Sequence, residues 1–186
     1  MTLAEELLAL IARDDEVRAR LAADGSLFDG YHPEMEAVHR ANASRLRELV
    51  TQFGWPGRNL VGDDAASAAW RIVQHAISEP AFMREMFVVL SNAPDVSKAE
   101  VAKLEDRIRV FEGRAQRFGT QFDWNEAGTA LELILGVEEP ETVAARRAAV
   151  GLPPIEWSRE PEPGDRPPDA DARRARDAWL VAVGWR

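Results

Sequence analysis

Two histidines are the residues of this 186-residue chain best suited to proton transfer. His39 and His75 each fall on or beside the apolar stripe of a predicted helix, and a tight turn joins the two helices. Because imidazole titrates near neutrality, a histidine in such a position can serve as a general acid or base. The alternative is a core histidine whose nitrogens are satisfied by neighbouring polar groups.

A carboxylate and a guanidinium follow on a later predicted helix. Asp106 lies among small residues on the face opposite the apolar stripe, and Arg107 lies next to it. Asp106 would orient an imidazole or act as the partner acid, and Arg107 would bind a carboxylate or phosphate through its planar fork. The alternative is a surface ion pair that contributes little. We therefore predict His75, His39 and Asp106 as catalytic residues.

Amide and hydroxyl side chains cluster in sequence around Gly119, which we expect at a bulge or a close backbone approach. Such groups can form hydrogen bonds with the carbonyl and amide groups of a substrate. The two histidine-bearing helices also carry amide side chains. The predicted substrate-binding residues are Asn42, Gln74, Arg107, Gln116, Thr120 and Gln121.

A metal site is the second interpretation of the same residues. His39, His75 and Asp106 have the composition of a two-histidine, one-carboxylate centre. No HxxxH or HxxE spacing on one helix supports it, so we predict no cofactor and keep a divalent metal as the alternative. The chain has no cysteine, which excludes disulfides, thiolate nucleophiles, iron–sulfur clusters and cysteine-type zinc sites.

The elements that position these residues are mostly helices. Apolar periodicity predicts a helix over 2–23, opened by a Thr2–Glu5 capping box, and a second helix from Pro33. Gly54-Trp55-Pro56 ends the second helix. Alternation over 116–124 and 130–135 predicts a β-hairpin. The expected fold is mainly α: a helical-bundle-like domain with a small hairpin and a C-terminal tail helix.

The domain organisation follows from a change in composition near residue 157. We predict one helical domain over 1–157, with the hairpin near 116–135. Residues 158–170 are rich in Pro, Glu, Asp and Arg and are predicted to be a linker. Residues 171–186 form a last helix that docks on the domain or on a partner.

Charge and hydropathy limit the partners and the compartment. The net charge of -9 argues against nucleic-acid binding, which needs a clustered basic face. No run of about 18 apolar residues is present, so no membrane span is expected. Glu5 and Glu6 stand where a signal peptide would carry positive charge, so we expect a soluble cytoplasmic protein.

A series of short motifs adds a family resemblance. The series is Gly-Trp-Pro at 54–56, Val61-Gly62, Trp70, Gln74-His75-Ala76, Asp106-Arg107-Ile108, Gln116, Gly119-Thr120-Gln121, Arg146-Arg147 and Val150-Gly151-Leu152. In order and spacing it resembles a bacterial family known as domain of unknown function 6624, over roughly residues 37–157. Phe118 stands where the family usually has tyrosine. The resemblance implies no reaction, but eight of the predicted polar residues fall on the family's motifs: His39, Gln74, His75, Asp106, Arg107, Gln116, Thr120 and Gln121.

Three functions are consistent with these residues. The first is an enzyme that uses His/Asp acid-base chemistry, hydrolase- or transferase-like, on a small polar or anionic substrate in a pocket between helices. The second is a metal-dependent enzyme. The third is a non-enzymatic binding module, with a protein partner or a second copy engaged through the C-terminal tail. The first two require the predicted residues to converge on one hollow.

Overall fold

The chain is mainly α-helical, as predicted, in a computed structural model that describes residues 1–28, 30–162 and 166–186. The helices are α1 (Leu3–Asp24), α2 (Pro33–Phe53), α3 (Arg58–Val61), α4 (Asp63–His75), α5 (Pro80–Asn92), α6 (Lys98–Phe111), α7 (Val143–Ala149) and α8 (Ala170–Ala182). A short 3-10 turn covers Ser26–Phe28. The strands are β1 (Phe122–Trp124), β2 (Leu131–Leu133) and β3 (Ser158–Arg159). In the described ranges, every helix is too short or too polar to cross a membrane.

The chain divides into two compact units, Met1–Val96 and Ser97–Arg186. The first unit contains α1 to α5, and the second contains α6, the sheet, α7 and α8. This division does not test whether residues 1–157 fold as one domain followed by a linker, and that organisation stays a prediction.

In the first unit, α1 packs against α2 and α4. The expected capping box opens α1, because Thr2 and Glu5 each accept a hydrogen bond from the backbone of the other. The inward face of α4 is built largely from alanines, which let another helix approach closely. Gly54, with φ +77°, ends α2 where the sequence predicts the break.

In the second unit, the predicted hairpin is present, with β1 and β2 antiparallel and Phe122 opposite Leu133. Strand β3 adds to the other edge of β2, so the segment predicted as a linker contributes a strand. The C-terminal segment lies against the same unit. Arg176 of α8 pairs with Asp123 of β1, and the Trp185 ring packs on Phe111 with ring centroids 4.9 Å apart.

Candidate active site

A buried carboxylate that the sequence analysis did not select lies at the centre of the first unit. Asp14 is fully buried on the inward face of α1, in register with Leu7, Ile11 and Val17. Its Oδ2 lies 2.8 Å from Nδ1 of His75, the last residue of α4. The His75 side chain is 25% exposed, whereas the carboxylate has no exposure at all. The hydrogen bond therefore joins a buried acceptor to an imidazole that solvent can reach.

The second histidine approaches the same carboxylate oxygen. His39 of α2 is 6% exposed, and its Nε2 lies 3.3 Å from Asp14 Oδ2. The rings of His39 and His75 lie 5.3 Å apart, centroid to centroid. On its other side, His39 Nδ1 lies 2.7 Å from the hydroxyl of Tyr31, whose ring stacks on the imidazole. Four side chains thus form one chain of polar contacts, Tyr31–His39–Asp14–His75.

The electrostatics of this chain favour an ionised carboxylate and a neutral phenol. Burial raises the pKa of Asp14, but the hydrogen bonds and charges of His39 and His75 outweigh it and hold that pKa well below its ordinary value. Burial raises the pKa of the Tyr31 hydroxyl above its ordinary value. Tyr31 therefore remains a hydrogen-bond donor at neutral pH.

Two buried atoms of the cluster lack a well-aligned hydrogen bond to any described residue. They are Asp14 Oδ1 and His39 Nε2. The ligand atoms of Asp14, His39 and His75 lie within 4.8 Å of one another, so these three residues could hold a metal ion. In this unit the carboxylate beside the two histidines is Asp14, on the helix that precedes both.

The predicted catalytic residue Asp106 lies in the second unit and binds backbone. It is fully buried on α6. Its Oδ1 accepts from the N–H groups of Arg117 at 2.7 Å and Phe118 at 3.1 Å. Its Oδ2 accepts from the N–H of Thr120 at 3.1 Å and from the Thr120 hydroxyl at 3.0 Å. Burial raises the pKa of Asp106, against the opposing effect of these bonds.

The side chain of Gln116 is equally occupied. Its Oε1 accepts from the N–H groups of Thr120 and Gln121, both at 2.8 Å, and its Nε2 donates to the carbonyls of Gln121 and Ile134. Gln116 is fully buried. It therefore holds the turn of the loop and ties it to the strand that follows.

Arg147 of α7 holds the same loop from its carbonyl side. Its Nη1 donates to the carbonyls of Phe118 at 2.5 Å and Gly119 at 3.0 Å, and its Nε donates to Pro153 at 2.7 Å. Gly119 has φ +69°, and a Cβ there would lie 2.8 Å from Ile155 Cδ1, so the expected close approach is confirmed. Residues 116–121, which we call the clamped loop, are thus fixed by one carboxylate, one amide and one guanidinium.

The remaining predicted binding residues divide between the units. Arg107 Nε donates to Gln121 Oε1 at 3.3 Å, and Gln121 Nε2 donates to Thr120 Oγ1 at 3.1 Å. Burial lowers the pKa of Arg107. In the first unit, Asn42 Nδ2 donates to the Leu10 carbonyl at 3.2 Å and so ties α2 to α1. Gln74 is buried on α4, adjacent in sequence to His75.

The structure therefore brings His39 and His75 together and adds Asp14 and Tyr31 to them. It brings Asp106, Gln116, Thr120 and Gln121 together in the second unit, with Arg107 beside Gln121. A shared hollow for both sets stays a prediction. Asp14 had a signal in the sequence, because it occupies an apolar-stripe position of the first helix. Tyr31 had a weaker one, as the only tyrosine, in a connector between helices.

A family model for a family of unknown function, DUF6624, matches residues 1–160, and the chain belongs to this family. The match reaches further than the resemblance over residues 37–157 suggested, and it includes α1 with Asp14. Comparison with curated proteins gave no match, and neither did comparison with solved structures.

Proposed function

We propose that this member of the family is an enzyme in which Asp14 and His75 carry out acid-base chemistry. One observation carries the proposal: a fully buried carboxylate oxygen lies 2.8 Å from the Nδ1 of an imidazole that is one-quarter exposed. A general base needs a nitrogen that substrate can reach and a partner that fixes the ring, and this pair supplies both.

The positions of the protons follow from the carboxylate. An ionised carboxylate only accepts hydrogen bonds, so the His75 Nδ1 that faces it carries the hydrogen. In the neutral ring, Nε2 then has the free lone pair and is the atom that takes a proton. Once protonated, the imidazolium is stabilised by the negative charge of Asp14. General acid-base catalysis of this kind contributes about 100- to 10,000-fold to a rate.

The proposed substrate is a small polar or anionic molecule. Separately, the Arg107 guanidinium and the Gln121 amide of the second unit contact each other, and they remain predicted binding groups for a polar or anionic molecule. Asp106 and Gln116 support this proposal indirectly, because their backbone hydrogen bonds keep the clamped loop in a single conformation. Binding residues held in this way lose little entropy when a substrate arrives.

The test compares His75→Gln and Asp14→Asn with wild type on a panel of small esters, amides and phosphomonoesters. We expect each variant to lose at least about 100-fold in kcat/KM while it stays folded. The matched control is His32→Gln, because His32 accepts a hydrogen bond from the Glu34 N–H at the start of α2 and lies outside the cluster. Wild-type turnover by both cluster variants would refute the proposal. If wild type turns over no panel member, acid-base chemistry on these three substrate classes is excluded.

A second candidate is a divalent-metal centre formed by Asp14, His39 and His75. It is favoured by the two buried atoms without aligned partners, because a bound ion would satisfy both of them. Ligands about 2.0–2.1 Å from a tetrahedral ion lie about 3.3 Å apart. The 3.3 Å between Asp14 and His39 fits that spacing, whereas the 2.8 Å between Asp14 and His75 is shorter and fits a direct hydrogen bond. We therefore rank the acid-base function first.

Elemental analysis separates the two candidates. Tag-free protein purified without chelator would contain close to one transition-metal ion per chain if the centre binds metal. The Asp14→Asn variant would then lose that ion, whereas Asp106→Asn would keep it. A metal content below about a tenth of an ion per chain would remove the metal candidate, since structural and catalytic sites of this composition bind tightly.

A further inference from the structure

We propose that Tyr31 and His39 are positioning residues of the Asp14–His75 pair: Tyr31 fixes the tautomer of His39, and His39 holds the Asp14 carboxylate against His75. The catalytic consequence rests on the proposed function, whereas the hydrogen-bond arrangement does not. Neither residue needs to touch a substrate. Both act through Asp14: His39 approaches the carboxylate oxygen that His75 also contacts, and Tyr31 contacts His39.

The proton arrangement within this chain of contacts can be worked out from one end. Asp14 is an acceptor, and His39 Nε2 lies 3.3 Å from its Oδ2, so this nitrogen carries a hydrogen. If this nitrogen carried a lone pair instead of a hydrogen, the lone pair would face the negatively charged oxygen at the same distance, which is unfavourable. In a neutral ring the other nitrogen, Nδ1, then accepts, and the Tyr31 hydroxyl 2.7 Å away donates to it. The raised pKa of Tyr31 agrees with a phenol that keeps its proton.

Burial makes this arrangement consequential. His39 is 6% exposed and Asp14 is fully buried, so solvent cannot readily replace a lost partner on either side chain. With Tyr31 present, a change of tautomer at His39 would make the phenol oxygen an acceptor, the weaker of its two hydrogen-bonding roles, and would turn a lone pair toward the carboxylate. In a variant without the hydroxyl, the cost at the phenol disappears and only the cost at the carboxylate remains. The phenol therefore selects the tautomer that directs an N–H toward Asp14.

The effect on His75 follows from the shared oxygen. Both imidazoles face Oδ2 of Asp14, at 2.8 Å and 3.3 Å, while Oδ1 lacks an aligned partner among the described residues. The His75 hydrogen bond is well aligned and the 3.3 Å approach of His39 Nε2 is not, so His39 acts on the same oxygen through electrostatic attraction and adds to the hold of His75 on the carboxylate. A carboxylate held in this way keeps the His75 ring oriented.

The experiment uses the full chain and the variant Tyr31→Phe, with ring ¹⁵N NMR of His39 as the readout that does not depend on activity. At a pH high enough for the imidazole to be neutral, we expect wild type to show a single His39 tautomer, with hydrogen on Nε2. In Tyr31→Phe we expect signals of both tautomers. The control is Ser91→Ala, which removes a hydroxyl that donates to the Phe87 carbonyl of its own helix. It should leave the His39 signals unchanged.

Turnover provides the second readout. Tyr31→Phe should lower kcat about tenfold and leave KM within about twofold, because the ring that it positions acts on the reacting proton and not on binding. His39→Leu should lower kcat further. His39→Gln should restore part of the loss, because the glutamine amide can place an N–H close to the position of the imidazole Nε2–H.

Two results would overturn the inference: an unchanged His39 tautomer in Tyr31→Phe, or full kcat in His39→Leu. Failure of the proposed function looks different. In that case His75→Gln would turn over substrate like wild type, while the NMR signals of Tyr31→Phe would still report whether the phenol sets the tautomer.

Discussion

Replacing Asp106 by alanine tests whether a residue that we predicted to be catalytic is instead structural. In the structure, both carboxylate oxygens accept hydrogen bonds from the clamped loop. The alanine variant removes four acceptor contacts from a fully buried position. If the role is structural, the main effect should be on the free energy of unfolding and on the order of that loop.

The size of the effect can be worked from the partners that remain. The Thr120 N–H keeps the Gln116 Oε1 as an acceptor at 2.8 Å. Among the described residues, the N–H groups of Arg117 and Phe118 donate only to Asp106 Oδ1, and each orphaned donor costs about 1–3 kcal/mol. Two such donors give about 2–6 kcal/mol. Removing a carboxylate whose pKa is raised by burial recovers part of this, so we expect a loss of about 2–4 kcal/mol.

The assay is urea unfolding of the full chain, combined with amide hydrogen exchange at residues 117 and 118. The control is Glu105→Ala, because Glu105 is the neighbouring carboxylate and pairs with the exposed Arg117 guanidinium at 3.3 Å. Its loss should cost about 1 kcal/mol or less. The reasoning is refuted if Asp106→Ala unfolds within about 1 kcal/mol of wild type and both amides stay protected. Unchanged stability together with lost turnover would instead support the catalytic role that the sequence predicts.

Two further predictions concern backbone strain and acid stability. Gly119→Ala should cost about 2–4 kcal/mol of unfolding free energy, because it combines a positive φ with a Cβ 2.8 Å from Ile155. Gly136 has a similar φ of +65°, but its Cβ would have nothing within 4 Å. Gly136→Ala should therefore cost only about 1 kcal/mol by urea unfolding. Equal losses of stability in the two variants would show that the Ile155 side chain moves away from the added Cβ at little cost. The lowered folded-state pKa of Asp14 means that its contribution to stability is fully present above the unfolded-state pKa of about 4 and is lost as the pH falls toward the folded value. Asp14→Asn should therefore lose less stability than wild type between pH 6 and about pH 3 in urea titrations, and parallel curves would contradict this.

Helices α1 and α2 could be predicted from the sequence because each has a strong apolar period and a recognisable end. The Thr2 capping box and the Gly54 break set the limits of α1 and α2 within a residue or two of their predicted positions. Strand β3 could not be predicted, because a two-residue strand has too little alternation to distinguish it from a polar connector. It exists because its backbone completes the free edge of β2.

Two members of the Asp14 cluster were selected from the sequence and two were not, and the reason lies in how periodicity is used. His39 and His75 were recognised because a histidine on an apolar stripe is conspicuous. Asp14 was not, although it occupies the same kind of stripe position in α1. In a long, regular amphipathic helix the apolar stripe is assigned from leucines and valines. One carboxylate among many is then interpreted as a surface residue. A carboxylate in register with core residues is nevertheless the stronger signal, because burying it requires a partner.

Asp14 and Asp106, both fully buried in the part of the chain that the structure describes, differ in the groups that they contact. Asp106 receives four hydrogen bonds, three of them from the N–H groups of one loop, so its hydrogen-bonding capacity is spent on the fold. Asp14 receives no backbone hydrogen bond: its Oδ2 faces two imidazoles, and its Oδ1 lacks an aligned partner in the described chain. A fold that needed only packing at this point would be served better by a leucine, since a buried charge paired with side chains seldom stabilises as much as an apolar residue of similar size. Under the proposed function the charge of Asp14 serves chemistry at His75, and a more stable Asp14→Leu variant without turnover would be its expected signature.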